Sequence, residues 1–438
     1  MNHYILIQNA RIVQTAQKRI VDADLLLKVA PDGGSATVAA IEPRIPKDSV
    51  NGTVKLLNAR GNLITPCFAD LSVTLREPGS MYKQSIEKTA EAARAGGYDT
   101  ILSFFEPSDT FSLQEVLSYW QALPKRKDVE MAFTAYAFLK DGSLVDPDAV
   151  FAQPAVALTN RYVSSDNRAI LQAAMAASAL RDRTFVLYPR VASLAREGVV
   201  NRHVAPSLRV KGLSPIVEEI AVAESLMICE DVGCRLHIAG VSTAKSVKLV
   251  RDAKKAGIAV TADTAPPYFT FHDGEVFFRG KEAKLFPPLR EEADRMAVIE
   301  GIADGTIDAI ASHHTPHAAR DYQRKTLTDA PFGGVGLETV FAASVEALLS
   351  RGYISTLRLV DLVSTAPRRI LQGMGVVTDA DPIAVGKTPN FNLVSLDKKF
   401  PVTEALFCSR AHNSPFMGLT LQGMPEHTFR RGIEVPLT

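Results

Sequence analysis

Between about residues 63 and 374, short apolar runs alternate with longer segments of helical periodicity, and this alternation constrains the fold more than any other feature. Such alternation is typical of repeated βα units. Seven or eight units over roughly 310 residues predict an α/β fold, a (β/α)8 TIM barrel, whose working residues lie at the C-terminal ends of the strands. The predicted strands cover residues 100–105, 131–136, 155–158, 185–188, 235–238, 259–262 and 309–311. Helix candidates between them cover residues 84–95, 165–181, 216–232 and 244–256.

Both ends of the chain have a β pattern instead. Short strand-like runs occupy residues 4–7, 11–13, 24–29, 37–41 and 54–57, and β character returns at 390–394, 419–422 and 432–435. A β segment on each side of a barrel predicts that the two ends meet in one small composite β-sandwich domain. We therefore expect the N-terminal segment of the β-sandwich at 1–62, the barrel at 63–374 and the C-terminal segment of the β-sandwich at 375–438.

Charge and cysteine content narrow the class of protein. The 49 Lys and Arg balance 48 Asp and Glu, which gives no long-range field to attract nucleic acid. No run approaches the roughly 18–20 apolar residues of a membrane span, and the N-terminus lacks the pattern of a signal peptide. The four cysteines are scattered, as expected for reduced thiols. We expect a cytoplasmic protein that binds neither nucleic acid nor membrane.

One sequence block carries a specific resemblance. The segment from Pro66 to Gly79, PCFADLSVTLREPG, resembles the dihydroorotase signature P-G-F-I-D-L-H-V-H-L-R-E-P-G of the amidohydrolase superfamily. Further matching blocks lie at residues 95–100, 215–221, 287–290, 304–311, 330–339 and 413–418. Because these blocks follow in the right order over nearly the whole chain, it is identified as a member of that family.

The resemblance implies a zinc site, yet the residues at its positions differ. Two histidines, one residue apart on the first barrel strand, would share the ion in the family, and Ser72 and Thr74 stand there instead. Neutral hydroxyls are poor Zn²⁺ ligands beside imidazole or carboxylate. The other matched ligand positions are also substituted, and the next residue after one of them adds a cation, Arg161. These positions are Asn160, Tyr188, Gly240 and His313. We therefore expect no metal, no other cofactor and no catalytic residue.

The substrate positions are altered in part. The resemblance places Arg76 and His317 where the family holds the substrate carboxylate. Phe286 replaces the asparagine expected before Pro-Pro-Leu-Arg, which removes two hydrogen-bond donors and an acceptor. The family's M-P-N-T block corresponds to residues 104–109, where no asparagine occurs. We expect little affinity for dihydroorotate.

Several residues have two readings. His313, His314 and His317 could form a relocated metal site, but Pro316 and the position after a strand indicate a loop, and no carboxylate lies near them in sequence. His237 is interpreted as a strand histidine satisfied by hydrogen bonds. Arg76 either binds an anion or is paired within the barrel mouth.

The resemblance implies a function through its degenerate members. Non-catalytic dihydroorotase homologues hold aspartate carbamoyltransferase in larger assemblies, so we expect that enzyme's catalytic subunit as a partner, together with self-association. One alternative is an amidohydrolase acting on a cyclic amide, dihydroorotate or hydantoin-like, with an altered or absent metal site. It would use His313, His314, His317 or Tyr188. Another is a sensor that binds an anion through Arg76.

Overall fold

The computed structural model describes residues 2–106, 110–124, 126–163, 166–323, 325–380 and 382–437. Its strands are β1 His3–Gln14, β2 Arg19–Val29, β3 Ala36–Glu42, β4 Thr53–Asn58, β5 Leu63–Pro66, β6 Phe68–Leu75, β7 Tyr98–Phe105, β8 Glu130–Tyr136, β9 Ala155–Thr159, β10 Thr184–Leu187, β11 Val200–Asn201, β12 Gly212–Leu213, β13 Arg235–Ile238, β14 Val260–Thr264, β15 Ala309–Ile310, β16 Phe391–Pro401, β17 Thr420–Arg430 and β18 Ile433–Val435.

The α-helices are α1 Ile86–Ala95, α2 Leu113–Ala122, α3 Pro147–Phe151, α4 Arg168–Leu180, α5 Ala192–Ala195, α6 Ala205–Leu208, α7 Ile216–Val232, α8 Ala244–Lys255, α9 Pro266–Thr270, α10 Val276–Arg279, α11 Glu292–Asp304, α12 Ala319–Tyr322, α13 Val340–Ser344, α14 Thr356–Val360 and α15 Ala366–Gly373. Two π-helical segments, Val345–Leu349 and Asp361–Thr365, continue α13 and α14. Residue 165, at the start of one predicted helix, lies outside the described residues. Across the described ranges, no helix is both long and apolar enough to cross a membrane.

The predicted barrel is confirmed. Eight parallel strands pair in the order β6-β7-β8-β9-β10-β13-β14-β15. The sheet nearly closes on itself, because the backbone N–H of Thr74 donates to the carbonyl oxygen of His314 at 2.8 Å. Strand β7 is buried along its whole length, as expected for a parallel strand covered on both faces.

The two ends of the chain form one composite β-sheet, which confirms that they meet. Strand β16, from the C-terminal segment, pairs antiparallel with β5, and β5 pairs parallel with β1. The rings of Phe391 and Phe429 stack at 4.3 Å within the apolar cluster that also contains Ile5 and Leu25. Burial of this shared apolar surface holds the two ends together.

Two local features differ from the expected pattern. Residues 4–7 and 11–13 belong to a single strand, β1, whose register shifts between Ile7 and Ala10, with Asn9 at a positive φ of 57°. Strand β5 belongs to the composite sheet, and the first barrel strand begins at Phe68. The division into domains after residues 62 and 374 stays a prediction.

A buried carboxylate shapes the loop between β13 and α8. Glu218, on α7, accepts hydrogen bonds from the backbone N–H groups of Ser242 and Thr243 at 2.9 and 3.1 Å. Thr243 then caps α8, because its hydroxyl accepts from the N–H of Ser246 at 3.1 Å. These bonds fix the short stretch that begins at Gly240.

Candidate functional site at the barrel mouth

The six positions at which the resemblance implies metal ligands lie at the C-terminal ends of the barrel strands, where TIM-barrel enzymes carry their active sites. Ser72 and Thr74 lie on β6. The others follow strands β9, β10, β13 and β15; they are Asn160, Tyr188, Gly240 and His313. The fold therefore gathers residues that lie far apart in sequence. Where β6 meets the segment after β15, for example, Asp70 accepts a hydrogen bond from the N–H of Ser312, 242 residues away.

The guanidinium of Arg161 occupies the space between the two positions on β6. Its Nη1 donates to the Ser72 hydroxyl at 2.6 Å, and its Nη2 donates to the Thr74 hydroxyl at 3.1 Å. A longer contact of 3.4 Å reaches the hydroxyl of Thr315. Arg161 is only 4% exposed. A fixed cation thus lies between the side chains where the resemblance implies a bound metal ion.

Aromatic rings surround the same guanidinium. Its central carbon lies 4.6 Å from the ring centre of Phe104, 5.0 Å from that of Tyr188 and 5.3 Å from that of Tyr162. Ring faces carry partial negative charge and attract a cation at these distances. These contacts offset part of the cost of burying the guanidinium. The rings carry no net charge, however, so they do not neutralise it.

Asp263, at the end of β14, is a site residue that the sequence reasoning missed. Its Oδ2 lies 3.0 Å from Nε2 of His237, and its Oδ1 lies 2.9 Å from Nε2 of His313. The N–H of Gly240 also donates to Oδ1, at 2.8 Å. Burial alone would raise the pKa of Asp263, but the two imidazoles outweigh it and hold this pKa below its usual range. No carboxylate was found near His313 along the sequence, and in the structure a neighbouring strand, β14, provides one.

A signal for Asp263 was present in the sequence. It stands one residue after the predicted strand 259–262, at the C-terminal end where barrel residues act. The interpretation of His237 agrees with the structure, since its Nδ1 lies 2.9 Å from the Thr261 hydroxyl and its Nε2 faces Asp263.

The absence of a side chain at Gly240 leaves space for the imidazole ring of His313. A Cβ atom at Gly240 would lie 2.6 Å from Cε1 of the His313 ring, closer than side chains pack. Both residues have positive φ angles, 80° for Gly240 and 50° for His313. The imidazole thus fills the volume that a side chain at position 240 would need.

Asn160 and Tyr188 are joined to each other. The Asn160 amide donates to the backbone oxygen of Tyr188 at 2.9 Å and accepts from the N–H of Tyr188 at 2.6 Å. The Tyr188 hydroxyl donates to the backbone oxygen of Phe286, and burial raises its pKa to about 12. A phenol with such a pKa keeps its proton at neutral pH. The hydroxyl therefore stays a donor to Phe286, and this hydrogen bond joins two walls of the site.

Arg76 and His317, at the positions matched to substrate binding, have partners inside the protein. Arg76 forms an ion pair with Glu106, and its Nε donates to the backbone oxygen of Pro316 at 2.9 Å. His317 lies with Nε2 2.9 Å from the backbone oxygen of Phe332. Burial and the nearby Arg76 lower the pKa of His317 to about 3, so it is neutral at pH 7. Of the two readings of Arg76, the geometry favours the paired one. Residues 107–109 of the altered substrate block lie outside the described residues.

A cavity of about 280 Å³ opens above these groups at the barrel mouth. Charged, polar and aromatic side chains line it, among them Arg161, Tyr188, Arg190, Phe286, His313 and Phe332. Nδ1 of His313 and Nε of Arg190 are buried, and neither atom has a hydrogen-bond partner in the part of the chain that the structure describes. The cavity therefore offers space for a small molecule beside charged, polar and aromatic side chains.

The sequence matches a known family over most of its length. The model of the dihydro-orotase-like family matches residues 61–246. A dihydroorotase of Caldanaerobacter subterraneus is 32% identical over 86% of this chain and 87% of its own. A dihydroorotase of Staphylococcus epidermidis is 31% identical over 98% of each chain. The chain belongs to the dihydroorotase-like family.

Solved structures resemble this dihydroorotase-like fold closely. An L-hydantoinase (dihydropyrimidinase) from Arthrobacter aurescens superposes with a TM-score of 0.82 over 98% of this chain and 95% of its own, at 21% identity. A dihydropyrimidinase from Brevibacillus agri gives 0.80 over 99% and 95%, at 19% identity. At such identities the likeness concerns the barrel and composite sheet alone.

The residues at the mouth of this dihydroorotase-like barrel do not fit a zinc ion. Zinc needs imidazole, thiolate or carboxylate ligands, whereas Ser72 and Thr74 bind a guanidinium, which would repel the metal. Asp70 accepts the backbone N–H groups of Ser72 and Ser312, and Asp263 is held by two histidines. Among the residues that the structure describes, no group of three or more His, Cys, Asp or Glu side chains has the arrangement of a metal site.

Proposed function

We propose that this dihydroorotase-like protein is non-catalytic and serves pyrimidine biosynthesis as a structural or assembly subunit of aspartate carbamoyltransferase. The observation that carries the non-catalytic role is the guanidinium of Arg161 between Ser72 and Thr74. Metal-dependent hydrolysis requires a metal-bound water of lowered pKa and a carboxylate that takes its proton. A buried cation at this place disfavours metal binding by direct repulsion.

The nearby carboxylates support the same proposal, because each has a structural partner. Asp70 bridges β6 and the segment after β15, and burial raises its pKa to about 6. Asp263 is enclosed by imidazoles, and Glu106 pairs with Arg76. The relatives bear the name dihydroorotase, so the proposed loss of hydrolysis rests on this chain's own residues.

The non-catalytic role is tested by metal content and turnover together. The purified protein is analysed for zinc and assayed with dihydroorotate in both directions, beside the Staphylococcus epidermidis relative as a positive control. We expect zinc far below one ion per chain and no turnover above background. Stoichiometric zinc with dihydroorotate hydrolysis would refute the proposal.

The partner role is supported by the retention of a complete barrel and composite sheet in a chain whose site is altered. A fold kept without turnover fits a binding function, and the identity of the partner comes from the resemblance.

Co-expression with the aspartate carbamoyltransferase catalytic chain of the same organism should give a co-purifying complex with higher transferase activity. The control replaces this protein with a catalytic dihydroorotase. Separate elution and unchanged transferase activity would exclude the partnership. Light scattering of this protein alone measures self-association.

One observation favours a second candidate, a metal-free amidohydrolase acting on a cyclic amide. Asp263 and His313 form a carboxylate–imidazole pair at the wall of the cavity, and the other ring nitrogen of His313, Nδ1, has no hydrogen-bond partner among the described residues. A general base needs this arrangement. Water would add its oxygen to the amide carbonyl carbon while Nδ1 takes its proton, and cleavage of the C–N bond would return that proton to the nitrogen.

The two candidates are separated by one variant. Dihydroorotate and hydantoin are tested with chelator-treated wild type and with His313→Gln, which removes the basic nitrogen. The non-catalytic proposal expects no turnover from either protein. Chelator-resistant hydrolysis by the wild type that disappears in His313→Gln would establish the metal-free enzyme instead.

A further inference from the structure

Two cysteines meet at the C-terminal end of α7. The helix ends at Val232, and Gly233 follows with a φ of 65°, in the left-handed region. The N–H of Gly233 donates to the carbonyl oxygen of Cys229 at 3.0 Å, as in helices that end at a glycine. Such an end turns the chain back, so the residue after the glycine packs against the last helical turn. Here that residue is Cys234, and it packs against Cys229.

The two thiol groups are in direct contact. The Cys229 thiol donates to the backbone oxygen of Cys234 at 3.0 Å, and the two side chains are hydrogen-bonded to each other. When Cys229 is ionised, the Cys234 thiol can donate to its sulfur. This interaction holds the pKa of Cys229 below its usual range and raises the pKa of Cys234. Cys229 is therefore the thiol that ionises first, and the thiolate is the nucleophilic form of cysteine.

The other two cysteines lie in different surroundings. Cys67 is buried against the guanidinium of Arg430, and burial raises the pKa of its thiol to about 12. Cys408 is half-buried, and burial raises the pKa of its thiol as well. A raised pKa leaves little thiolate at neutral pH, so both thiols should react more slowly than Cys229.

We infer that Cys229 and Cys234 form a redox pair, which closes to an intramolecular disulfide by exchange with a low-molecular-weight disulfide such as oxidised glutathione. In the first step, the Cys229 thiolate attacks one sulfur of the small disulfide, whose S–S bond breaks and whose other half leaves as a thiolate. In the second step, Cys234 loses its proton and attacks the Cys229 sulfur, which forms the protein disulfide and releases the second small thiolate. The two small thiolates take up the protons that the cysteines lose. Two protein thiols are thus oxidised while one small disulfide is reduced to two thiols.

Access to the pair comes through the end of the helix. Both cysteine side chains are buried, whereas the neighbouring Glu230, Asp231 and Gly233 are exposed. The ends of helices fray, and local opening of the last turn uncovers Cys229 without unfolding the barrel. The disulfide would tie this turn to the residue before β13, the strand that carries His237.

The inference goes beyond the proposed function, since neither an assembly role nor the loss of hydrolysis requires a thiol reaction. Where small thiols keep proteins reduced, as we expect in the cytoplasm, disulfides are transient and serve catalysis or redox sensing. Excess small thiol reverses the exchange. The pair is therefore a site of reversible modification.

The test incubates the reduced full chain with oxidised glutathione at neutral pH, quenches with acid, and then combines thiol titration in denaturant with mass spectrometry. We expect the four thiols of the chain to fall by one pair. The mass of the monomer should fall by about 2 Da through loss of two hydrogens. Trypsin should locate this loss in the peptide 212–235, which contains both cysteines. Dithiothreitol should restore both thiols.

Variants separate the two steps. Cys234→Ser keeps the attacking thiol but lacks the second one, so it should accumulate a glutathione adduct on Cys229. Cys229→Ser should form no disulfide, and the matched control Cys408→Ser should form it as the wild type does. A Cys234→Ser protein without the adduct would overturn the assignment of Cys229 as the attacking thiol.

Peptide mapping of the wild type decides the inference even if a variant fails to fold. Four unchanged thiols would overturn it, and so would a lasting glutathione adduct without ring closure. Loss of thiols outside the peptide 212–235, or dimers linked through its cysteines, would overturn it too. The experiment measures neither zinc, hydrolysis nor transferase binding, so its failure leaves the proposed function standing.

Discussion

The contact between Gly240 and His313 gives the sharpest quantitative prediction. A Cβ at Gly240 would lie 2.6 Å from Cε1 of His313, and the φ of Gly240 is 80°. Gly240→Ala therefore carries two costs. The left-handed backbone costs about 1–2 kcal/mol for a residue with a side chain, and overpacking a buried site adds about 1–3 kcal/mol.

A matched glycine separates the two costs. Gly257 has a φ of 84°, and a Cβ there would meet nothing within 4 Å. Gly257→Ala should carry only the backbone cost, about 1–2 kcal/mol. We expect Gly240→Ala to cost more than Gly257→Ala by about 1–3 kcal/mol.

The double variant Gly240→Ala/His313→Ala removes the ring that the new methyl group would meet. The free energy of unfolding is measured by urea titration with circular dichroism for the wild type, both single variants and the double variant. The coupling between positions 240 and 313 should be about 1–3 kcal/mol, with each substitution costing less in the presence of the other. A Gly240→Ala cost equal to that of Gly257→Ala, or no coupling, would refute the claim that His313 fills the volume beside Gly240.

Three further substitutions test the burial and pairing of single residues. Burial raises the pKa of Glu338 from 4.5 to about 7, so the folded state keeps a proton that the unfolded state has lost, and the free energy of unfolding falls as pH rises between these values. Glu338→Gln removes this titration, so in urea titrations its free energy of unfolding should fall by about 3 kcal/mol less than that of the wild type over the same pH range. Parallel curves of unfolding free energy against pH would contradict this. Arg76→Met should lower the free energy of unfolding by about 1–3 kcal/mol in a urea titration, because Glu106 and the backbone oxygen of Pro316 lose their donor; an unchanged free energy would show that the pair does not stabilise the fold. Asn160→Ala leaves two backbone groups of Tyr188 without a partner and should cost about 2 kcal/mol in a urea titration; a loss below about 0.5 kcal/mol would show that water replaces the amide.

The barrel was predictable because its information is local. Each strand can be recognised from a few consecutive apolar residues that are followed by a helical pattern. The predicted runs at 100–105, 131–136 and 235–238 all lie on barrel strands. Strand β5 falls inside the segment 63–374 that the sequence assigns to the barrel. Its pairing with β1 and β16 depends on partners far away in sequence, which no local pattern specifies.

The candidate site was predictable only to a limited extent. Matching blocks placed the six altered positions at strand ends, and the chemistry of Ser72 and Thr74 already argued against zinc. Nothing local indicated that Asp263 binds His313, since 50 residues separate them. The same holds for Arg76, whose partner Glu106 is 30 residues away on the next barrel unit.

The sequence by itself determined which chemical groups stand at the strand ends of the barrel: hydroxyls, an amide, a glycine and a histidine. That is a local property, because strand periodicity and matched blocks assign each residue to its place. Tertiary structure alone decided what those groups do together. Closure of the barrel brings Arg161 between the hydroxyls of β6 and sets Asp263 between two imidazoles. Electrostatic interactions at these short distances depend on positions in space, and the fold sets those positions through contacts between strands that are remote in sequence.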